Sequence, residues 1–175
     1  MSAVDALGVD IGGTKIAGAR VTPLGEMVAH ASRPTTPDNP ERILDAVVEI
    51  CEELGSSDVL PTVGVAVAAF LDRDRHNLFF SPNIAWQNFP LKAEVEKRLG
   101  VPVVLENDAN AAGWGEFRFG AARDVQSMIM LTIGTGVGGA LVDDGRLLVG
   151  GFGMAAELGH IIIEPGGRLC GCGNY

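Results

Sequence analysis

The sequence predicts an α/β protein whose strands end at a ligand-binding cleft, and three observations support this prediction. Apolar segments with strand character alternate with segments of helical periodicity along the 175 residues. Hydrophobic residues make up 47% of the chain and charged residues 20%, a composition that suits a packed core. The 24 glycines are clustered in short stretches, as expected where a backbone turns tightly or closely approaches a ligand.

The first predicted elements are two strands joined by a glycine-rich turn, spanning Ala6 to Val21. A helix follows, with Asn39 as its capping residue, Pro40 in its first turn and Gly55 at its end. A short buried strand is predicted from Val63 to Phe70, and a polar loop comes after it. Cys51, on the apolar side of the helical pattern, is predicted to be buried.

The later elements continue the alternation of helix and strand. A helix is marked by Leu91, Val95 and Leu99 and ended by Gly100, and a strand over Val101–Leu105 follows it. Next come a helix over Ala109–Phe119 and a strand over Met128–Ile133. The helix is predicted although Gly113 and Gly115 lower its propensity. In such folds, ligands bind at the carboxyl ends of the strands. Trp86 and Phe89 are assigned to the core, with the side of the cleft as the alternative.

Two hairpins of the same design indicate two related lobes. The segments 9–14 and 131–136 each interrupt a strand pair with Gly and Thr, and a polar glycine turn follows each pair. Since the two hairpins are about 120 residues apart, we expect a lobe around each and a ligand between them. The first lobe is placed at residues 1–118, and residues 119–175 are taken as the start of the second.

The turns of these hairpins are candidate phosphate sites. Their backbone N–H groups can surround phosphate oxygens, and Thr14 adds a hydroxyl donor. Asp10 is placed to hold Mg²⁺ and Lys15 to offset phosphate charge. The alternative is a plain hairpin turn that needs glycine for positive φ. The candidate phosphate contacts are Gly12, Gly13, Thr14, Gly134, Thr135 and Gly136.

Other nucleotide motifs are excluded. Residues 134–139 match the spacing Gly-x-Gly-x-x-Gly, but a dinucleotide-binding turn opens a helix, whereas residues 140–142 continue as a strand. The chain also lacks the Gly-Lys-Ser/Thr ending of a Walker-type loop.

The triplet Glu106-Asn107-Asp108 ends a predicted strand that faces the cleft. A carboxylate at Asp108 can accept the proton of a substrate hydroxyl that attacks a γ-phosphoryl group. Asn107 and Asn83 can hydrogen-bond sugar hydroxyls, because an amide both donates and accepts. The alternative is that Asp108 only caps the following helix.

Charge and cysteine content restrict the partners. The net charge is −9, and no run of Lys or Arg occurs, which argues against nucleic acid and anionic membranes as partners. No apolar run is long enough to cross a bilayer, and no signal peptide is recognised. The three cysteines are poorly placed for disulfides, so a cytoplasmic protein is expected.

Five ordered motifs resemble those of the ROK family (repressor, open reading frame, kinase), and the resemblance covers the whole chain. They are the segments 10–15, 106–111, 134–139, 157–160 and 170–173. The Trp-Gly-Glu-Phe segment after Asp108 is most similar to actinobacterial glucokinases of the family. The resemblance implies an actin-like ATPase (ribonuclease H-like) fold of two lobes, with ATP in the cleft and a hexose below it.

The family also implies roles for individual residues. Asp108 would be the general base, and the sugar contacts would be Asn83, Asn107, Glu157 and His160. A structural Zn²⁺ would bind His160, Cys170, Cys172 and a further cysteine. The sequence stops at Tyr175, before that cysteine, so the second lobe is expected to be incomplete and the zinc site to lack a ligand.

The resulting expectation is a hexose kinase that acts on glucose with Mg-ATP and forms a dimer or tetramer when full length. Polyphosphate is an alternative donor. Two other readings stay open: a sugar-sensing transcriptional regulator without its DNA-binding domain, and an inactive sugar-binding fragment.

Overall fold

The computed structural model describes residues 5–55, 62–134 and 136–175, and its largest element is a five-stranded mixed sheet. The strand order is β3-β2-β1-β4-β8. β1 to β3 are antiparallel neighbours, whereas β4 and β8 run parallel to β1. The strands are β1 (Ala6–Ile11), β2 (Lys15–Val21), β3 (Met27–Pro34), β4 (Val63–Val67) and β8 (Val103–Asn107).

Helices α1 (Pro40–Leu54) and α2 (Leu91–Leu99) contribute to the main core against this sheet. Alternate residues of β1 point into that core, and Ile50 of α1 packs where a side chain at Gly18 of β2 would stand. The core residues include Leu7, Val9, Ile11, Ile16, Ile43, Val47 and Ile50. Burying each such side chain contributes about 1.5–3 kcal/mol, so this packing fixes the sheet that carries the cleft.

The predicted helix ends are confirmed. The Asn39 side chain accepts a hydrogen bond from the backbone N–H of Arg42 at 3.2 Å, and α1 ends before Gly55. Gly100 follows α2 with a φ of 70°, a left-handed conformation that glycine adopts without steric cost. Cys51 is fully buried, and burial together with the neighbouring Glu52 carboxylate raises the pKa of its thiol to about 11.

The predicted strand over Val63–Phe70 is confirmed only as far as Val67, where the chain leaves the sheet. The carbonyl of Ala68 accepts from Ser81 Oγ at 2.9 Å, and that of Ala69 accepts from Asn107 Nδ2 at 3.3 Å. Side chains thus bond these carbonyls outside any strand ladder. The chain then enters a small antiparallel sheet that sequence reasoning missed: β5 (Phe70–Leu71), β6 (Leu78–Phe80) and β7 (Gln87–Phe89).

Two further strands differ from expectation. β3 was not predicted, and the strand placed at Val101–Leu105 runs over Val103–Asn107 instead. Pro102 explains the later start, since proline has no N–H to donate to a sheet. Trp86 is a core residue as predicted: it is 3% exposed and stacks on Phe89 with ring centroids 5.3 Å apart.

A second sheet repeats the hairpin design of the first, with the order β11-β10-β9. Its strands are β9 (Met128–Ile133), β10 (Val137–Asp143) and β11 (Arg146–Leu147). Helix α3 (Asp108–Phe119) follows β8 and packs on β10, with Gly113 against Ala140. The mixed α/β prediction and the duplicated hairpin are confirmed, whereas the lobe boundary at 118/119, at the end of α3, stays a prediction. Among the described residues, no helix is both long and apolar enough to cross a membrane.

Candidate active site

A cleft of about 500 Å³ lies between the two hairpins. It is lined by both glycine turns, by the junction of β8 and α3, and by a short 3₁₀ helix (Leu158–His160) with the residue before it. The structure therefore brings together most of the predicted site, although residues 14 and 134 are more than a hundred positions apart. The predicted residues on its surface are Gly12, Gly13, Thr14, Asn83, Asn107, Asp108, Gly134, Gly136, Glu157 and His160.

Two predicted residues are placed differently, and a third is not described. Asp10 and Lys15 lie outside the cleft lining, on the sheet face opposite α1, where they line a second cavity of about 1030 Å³. Asp108 and Ala109 line both cavities, so the second cavity, which Asp10 lines, adjoins the cleft at Asp108. Thr135 lies outside the described residues.

The first turn is closed by a hydrogen bond of 3.0 Å from the Gly12 N–H to the Lys15 carbonyl. Neither Gly12 nor Gly13 has a positive φ, so the alternative that glycine serves backbone conformation here is wrong. The reason is space: a Cβ at Gly12 would stand 2.9 Å from the Lys15 oxygen, and one at Gly13 would stand 2.9 Å from Asn83 Cβ. The turn is thereby packed directly against the loop that carries Asn83.

The second turn has a different reason for its glycines. Gly134 also lacks positive φ, and within the described part of the chain a Cβ at Gly134 or Gly136 would meet no atom within 4 Å. At Gly134, neither the backbone conformation nor packing against the described residues requires glycine. What glycine leaves is backbone open to the cleft, which suits close approach of an anionic ligand to N–H groups.

Asp108 is the first residue of α3, and the residue before it forms the helix cap. Asn107 Oδ1 accepts from the Asn110 N–H at 3.0 Å, while Asn107 Nδ2 donates to the Ala69 carbonyl at 3.3 Å. The alternative that Asp108 only caps the helix is therefore wrong, and Asp108 lines the cleft. The Asn107 amide already has a partner at each end, so any sugar contact must use its remaining hydrogen-bonding capacity.

The Asp108 carboxylate acts on two other carboxyl groups in and beside the cleft. Desolvation raises the pKa of Asp10, the neighbouring Asp108 carboxylate adds to the rise, and Lys15 opposes it. Desolvation also raises the pKa of Glu157; His160 opposes this rise and Asp108 adds to it. The site is thus rich in negative charge before ligand binds, which favours a divalent cation with oxygen ligands.

A candidate metal group lies beside the cleft. The ligand atoms of His160, Cys170 and Cys172 all lie within 4.8 Å of one another. His160 Nδ1 is 3.8 Å from Cys170 Sγ, whereas its Nε2 is 3.8 Å from Glu157 Oε2. Hydrogen bonds with Cys172 lower the pKa of the Cys170 thiol, which favours the thiolate form that binds metal. One imidazole and two sulfurs fit three of the four positions around a structural Zn²⁺.

Two contacts of the site were not found from the sequence. Thr35 Oγ1 donates to the Gly12 carbonyl at 2.7 Å, and Phe70 lies against His160 with ring centroids 5.8 Å apart. Thr35 belongs to the unpredicted strand-end region after β3, and no local motif marks it. Phe70 was assigned to the end of the predicted buried strand over Val63–Phe70, and that assignment hid its place in the cleft lining.

Known proteins share this architecture. The sequence model of the ROK family matches residues 6–175. A glucokinase of Streptomyces coelicolor is 46% identical over 168 residues, which are 96% of this chain and 53% of the relative. The chain thus spans about half the length of the curated relatives that it matches.

Solved structures agree. The crystal structure of a ROK family glucokinase from Streptomyces griseus, in complex with glucose and AMPPNP, superimposes with a TM-score of 0.92 and 44% identity, covering 98% of this chain and 55% of that one. A ROK family transcriptional regulator, homologous to the E. coli MLC protein, superimposes with a TM-score of 0.83 and 27% identity, covering 98% of this chain and 44% of that one.

Proposed function

The chain belongs to the ROK family, and we propose that the whole protein transfers the γ-phosphoryl group of ATP to O6 of a hexose, glucose in the first instance. The observation that carries this proposal is the cleft in which Asp108 faces two glycine turns of the same design. The similarity to a glucokinase crystallised with glucose and AMPPNP supports the choice of sugar and donor.

In the proposed reaction, Asp108 accepts the proton of the sugar hydroxyl as its oxygen attacks the phosphorus in line with the leaving oxygen. The two turns would hold the phosphates through backbone N–H groups, and Asn83, Asn107, Glu157 and His160 would orient the sugar. Positioning and electrostatic stabilisation supply most of the rate in such transfers. Mg²⁺ held near Asp10 would offset the charge of the phosphates.

Zn²⁺ is proposed as a structural ion held by His160, Cys170 and Cys172, with a fourth ligand from outside this set. Its role would be to fix the orientation of the His160 ring. The Nε2 atom, which faces Glu157, then stays available on the cleft side.

The decisive test is Asp108→Asn in the whole protein. We expect kcat to fall at least about 10²-fold while glucose affinity, measured by calorimetry, stays within about twofold, because only proton transfer is removed. Asp124→Asn is the matched control, since that carboxylate is 86% exposed and does not line the cleft. Near-normal turnover of Asp108→Asn would contradict the role of the base.

A panel of hexoses and N-acetylhexosamines, each with Mg-ATP and with polyphosphate, tests the substrate and the donor. The largest kcat/KM is expected for glucose with ATP. The regulator relative favours one competing function, sugar-dependent control of transcription. Specific binding of an operator DNA by the whole protein, without kinase activity, would establish that alternative.

A further inference from the structure

Arg75 lies behind the cleft, in the turn that joins β5 to β6. Its φ is 57°, a left-handed conformation that glycine adopts freely and other residues adopt uncommonly. The turn is closed by hydrogen bonds from the Arg75 N–H to the Asp72 carbonyl at 3.2 Å and from the His76 N–H to Asp72 Oδ1 at 2.7 Å. A long side chain at a position suited to glycine indicates that the side chain has a structural or functional role.

The Arg75 guanidinium joins three segments of the chain. Its Nε donates to Glu106 Oε1 at 2.7 Å, and its Nη1 donates to the Asp72 carbonyl at 2.8 Å and to the Gly153 carbonyl at 3.0 Å. The Arg75 and Glu106 side chains are only 12% and 20% exposed. A planar guanidinium can hold several acceptors in fixed directions, which a lysine ammonium cannot reproduce.

On one side, the Arg75–Glu106 contact holds the junction of β8 and α3, where Asp108 lies. The same Glu106 oxygen that binds Arg75 accepts from the Asn107 N–H at 2.8 Å and from Asn110 Nδ2 at 3.2 Å. Those two residues belong to the cap of α3, and Asp108 lies between them in the chain. The orientation of the Asp108 carboxylate therefore depends on where the Glu106 carboxylate is held.

On the other side, Arg75 holds the segment that leads to the sugar side of the cleft. Gly153 has a φ of 85°, and a Cβ there would stand 2.8 Å from both Arg75 Nη1 and the Arg73 nitrogen. The turn and the Gly153 segment are thus in direct contact. Glu157 and His160 follow on that segment within seven residues of Gly153.

We propose that Arg75 is a positioning residue that sets the Asp108 carboxylate relative to Glu157 and His160. Neither Arg75 nor Glu106 lines the cleft, so the effect passes through the backbone on each side. The inference rests on the proposed kinase function and extends it to a residue on the opposite side of the β8–α3 junction. The β5–β6 turn would thus align Asp108 on one side of the cleft with Glu157 and His160 on the other.

The test compares Arg75→Met, Arg75→Lys and the matched control Arg73→Met, an exposed arginine of the same turn. For Arg75→Met in the whole protein we expect kcat/KM for the hexose to fall about tenfold or more, because small displacements of reacting groups are costly. The KM for ATP should change by less than about twofold, and Arg75→Lys should recover part of the loss, since it keeps the charge beside Glu106 but not the fork.

The same Arg75 substitutions in an Asp108→Asn background separate positioning from general damage. If Arg75 acts through Asp108, its substitution costs a smaller factor there than in the wild type. Equal factors in both backgrounds, or wild-type kinetics for Arg75→Met, would overturn the inference. If circular dichroism shows that Arg75→Met does not fold, wild-type kinetics for Arg75→Lys would also overturn the inference. A wild-type protein without hexose kinase activity would instead refute the proposed function, and this inference with it.

Discussion

At the scale of single residues, the site concentrates negative charge at a cost to the ligand-free protein. Glu157 has a raised pKa because it is desolvated and close to Asp108, with His160 as the opposing charge. A carboxylate in such a place is less stable ionised in the folded chain than in the unfolded chain. Groups arranged for ligand binding often carry this kind of penalty.

Glu157→Gln should therefore stabilise the ligand-free protein at neutral pH. The ordinary pKa of this carboxyl is 4.5, and its folded value is higher. Below the ordinary value both states are protonated and the ionisation penalty is absent. As pH rises above it, the unfolded chain ionises first, so the wild type loses stability until the folded pKa is passed.

Urea unfolding between about pH 4 and pH 8 tests this sign. The advantage of Glu157→Gln over the wild type should grow with pH and then level off. A variant that becomes less stable relative to the wild type as pH rises would contradict the assigned shift.

Adjacent residues show the limit of sequence reasoning at this scale. Asn107 and Asp108 both suit a helix cap and both suit a sugar site, and propensity does not separate them. The structure assigns the cap to Asn107, through the bond to the Asn110 N–H. The direction of the chain at the end of β8 decides which residue caps the helix and which lines the cleft. That direction depends on Glu106 and Arg75, which are far apart in sequence.

At the scale of elements, α3 contains two glycines with opposite effects on stability. Gly113 faces Ala140 and the methyl ends of Met128 and Met130, whereas a Cβ at Gly115 would meet no atom within 4 Å. The first glycine allows close packing of the helix on the second sheet. The second only lowers helix propensity.

Gly113→Ala and Gly115→Ala should thus change the free energy of unfolding in opposite directions. Alanine at 115 should stabilise by about 0.5–1 kcal/mol through the loss of backbone freedom in the unfolded chain. Alanine at 113 should destabilise by about 1–3 kcal/mol, because its methyl overlaps Ala140. Chemical denaturation of both variants measures the difference, and equal effects would show that α3 does not pack on β10 as described.

Elements with their own end signals were predictable from sequence, and those defined by distant partners were not. Asn39, Gly55 and Gly100 marked the ends of α1 and α2 correctly. The break after Val67 depends on Ser81 and Asn107, whose side chains bond the next two carbonyls. Periodicity has no access to such contacts, so β5 was merged into β4.

At the scale of the whole molecule, the cleft depends on contacts between regions far apart in sequence. Gly13 packs on Asn83, Arg75 holds Gly153, and α3 connects the two sheets. The duplicated hairpin predicted two facing phosphate turns from sequence alone, but the distance between them depends on these long-range contacts. The metal group extends this arrangement along one side of the cleft.

Zinc should therefore affect the whole protein in two measurable ways. We expect about one Zn²⁺ per chain by elemental analysis, and Cys172→Ser should lower both the zinc content and the unfolding temperature, since structural zinc contributes directly to folding. Glucose affinity should fall as well, because His160 would lose its fixed orientation. Cys51→Ser, at the buried thiol of α1, controls for cysteine loss alone. Unchanged zinc content in Cys172→Ser would contradict the proposed ligand set.

The placement of the two tryptophans offers an optical reporter for the proposed sugar site. Trp86 is buried on Phe89 and closes, through its carbonyl and the Ser81 N–H, the loop that carries Asn83. Trp114 lies on α3 under the Arg118 guanidinium, in a more exposed setting. Replacing Trp114 by Phe would leave one indole, shielded from water, whose emission should report occupancy of the sugar side directly and without a coupled enzyme assay.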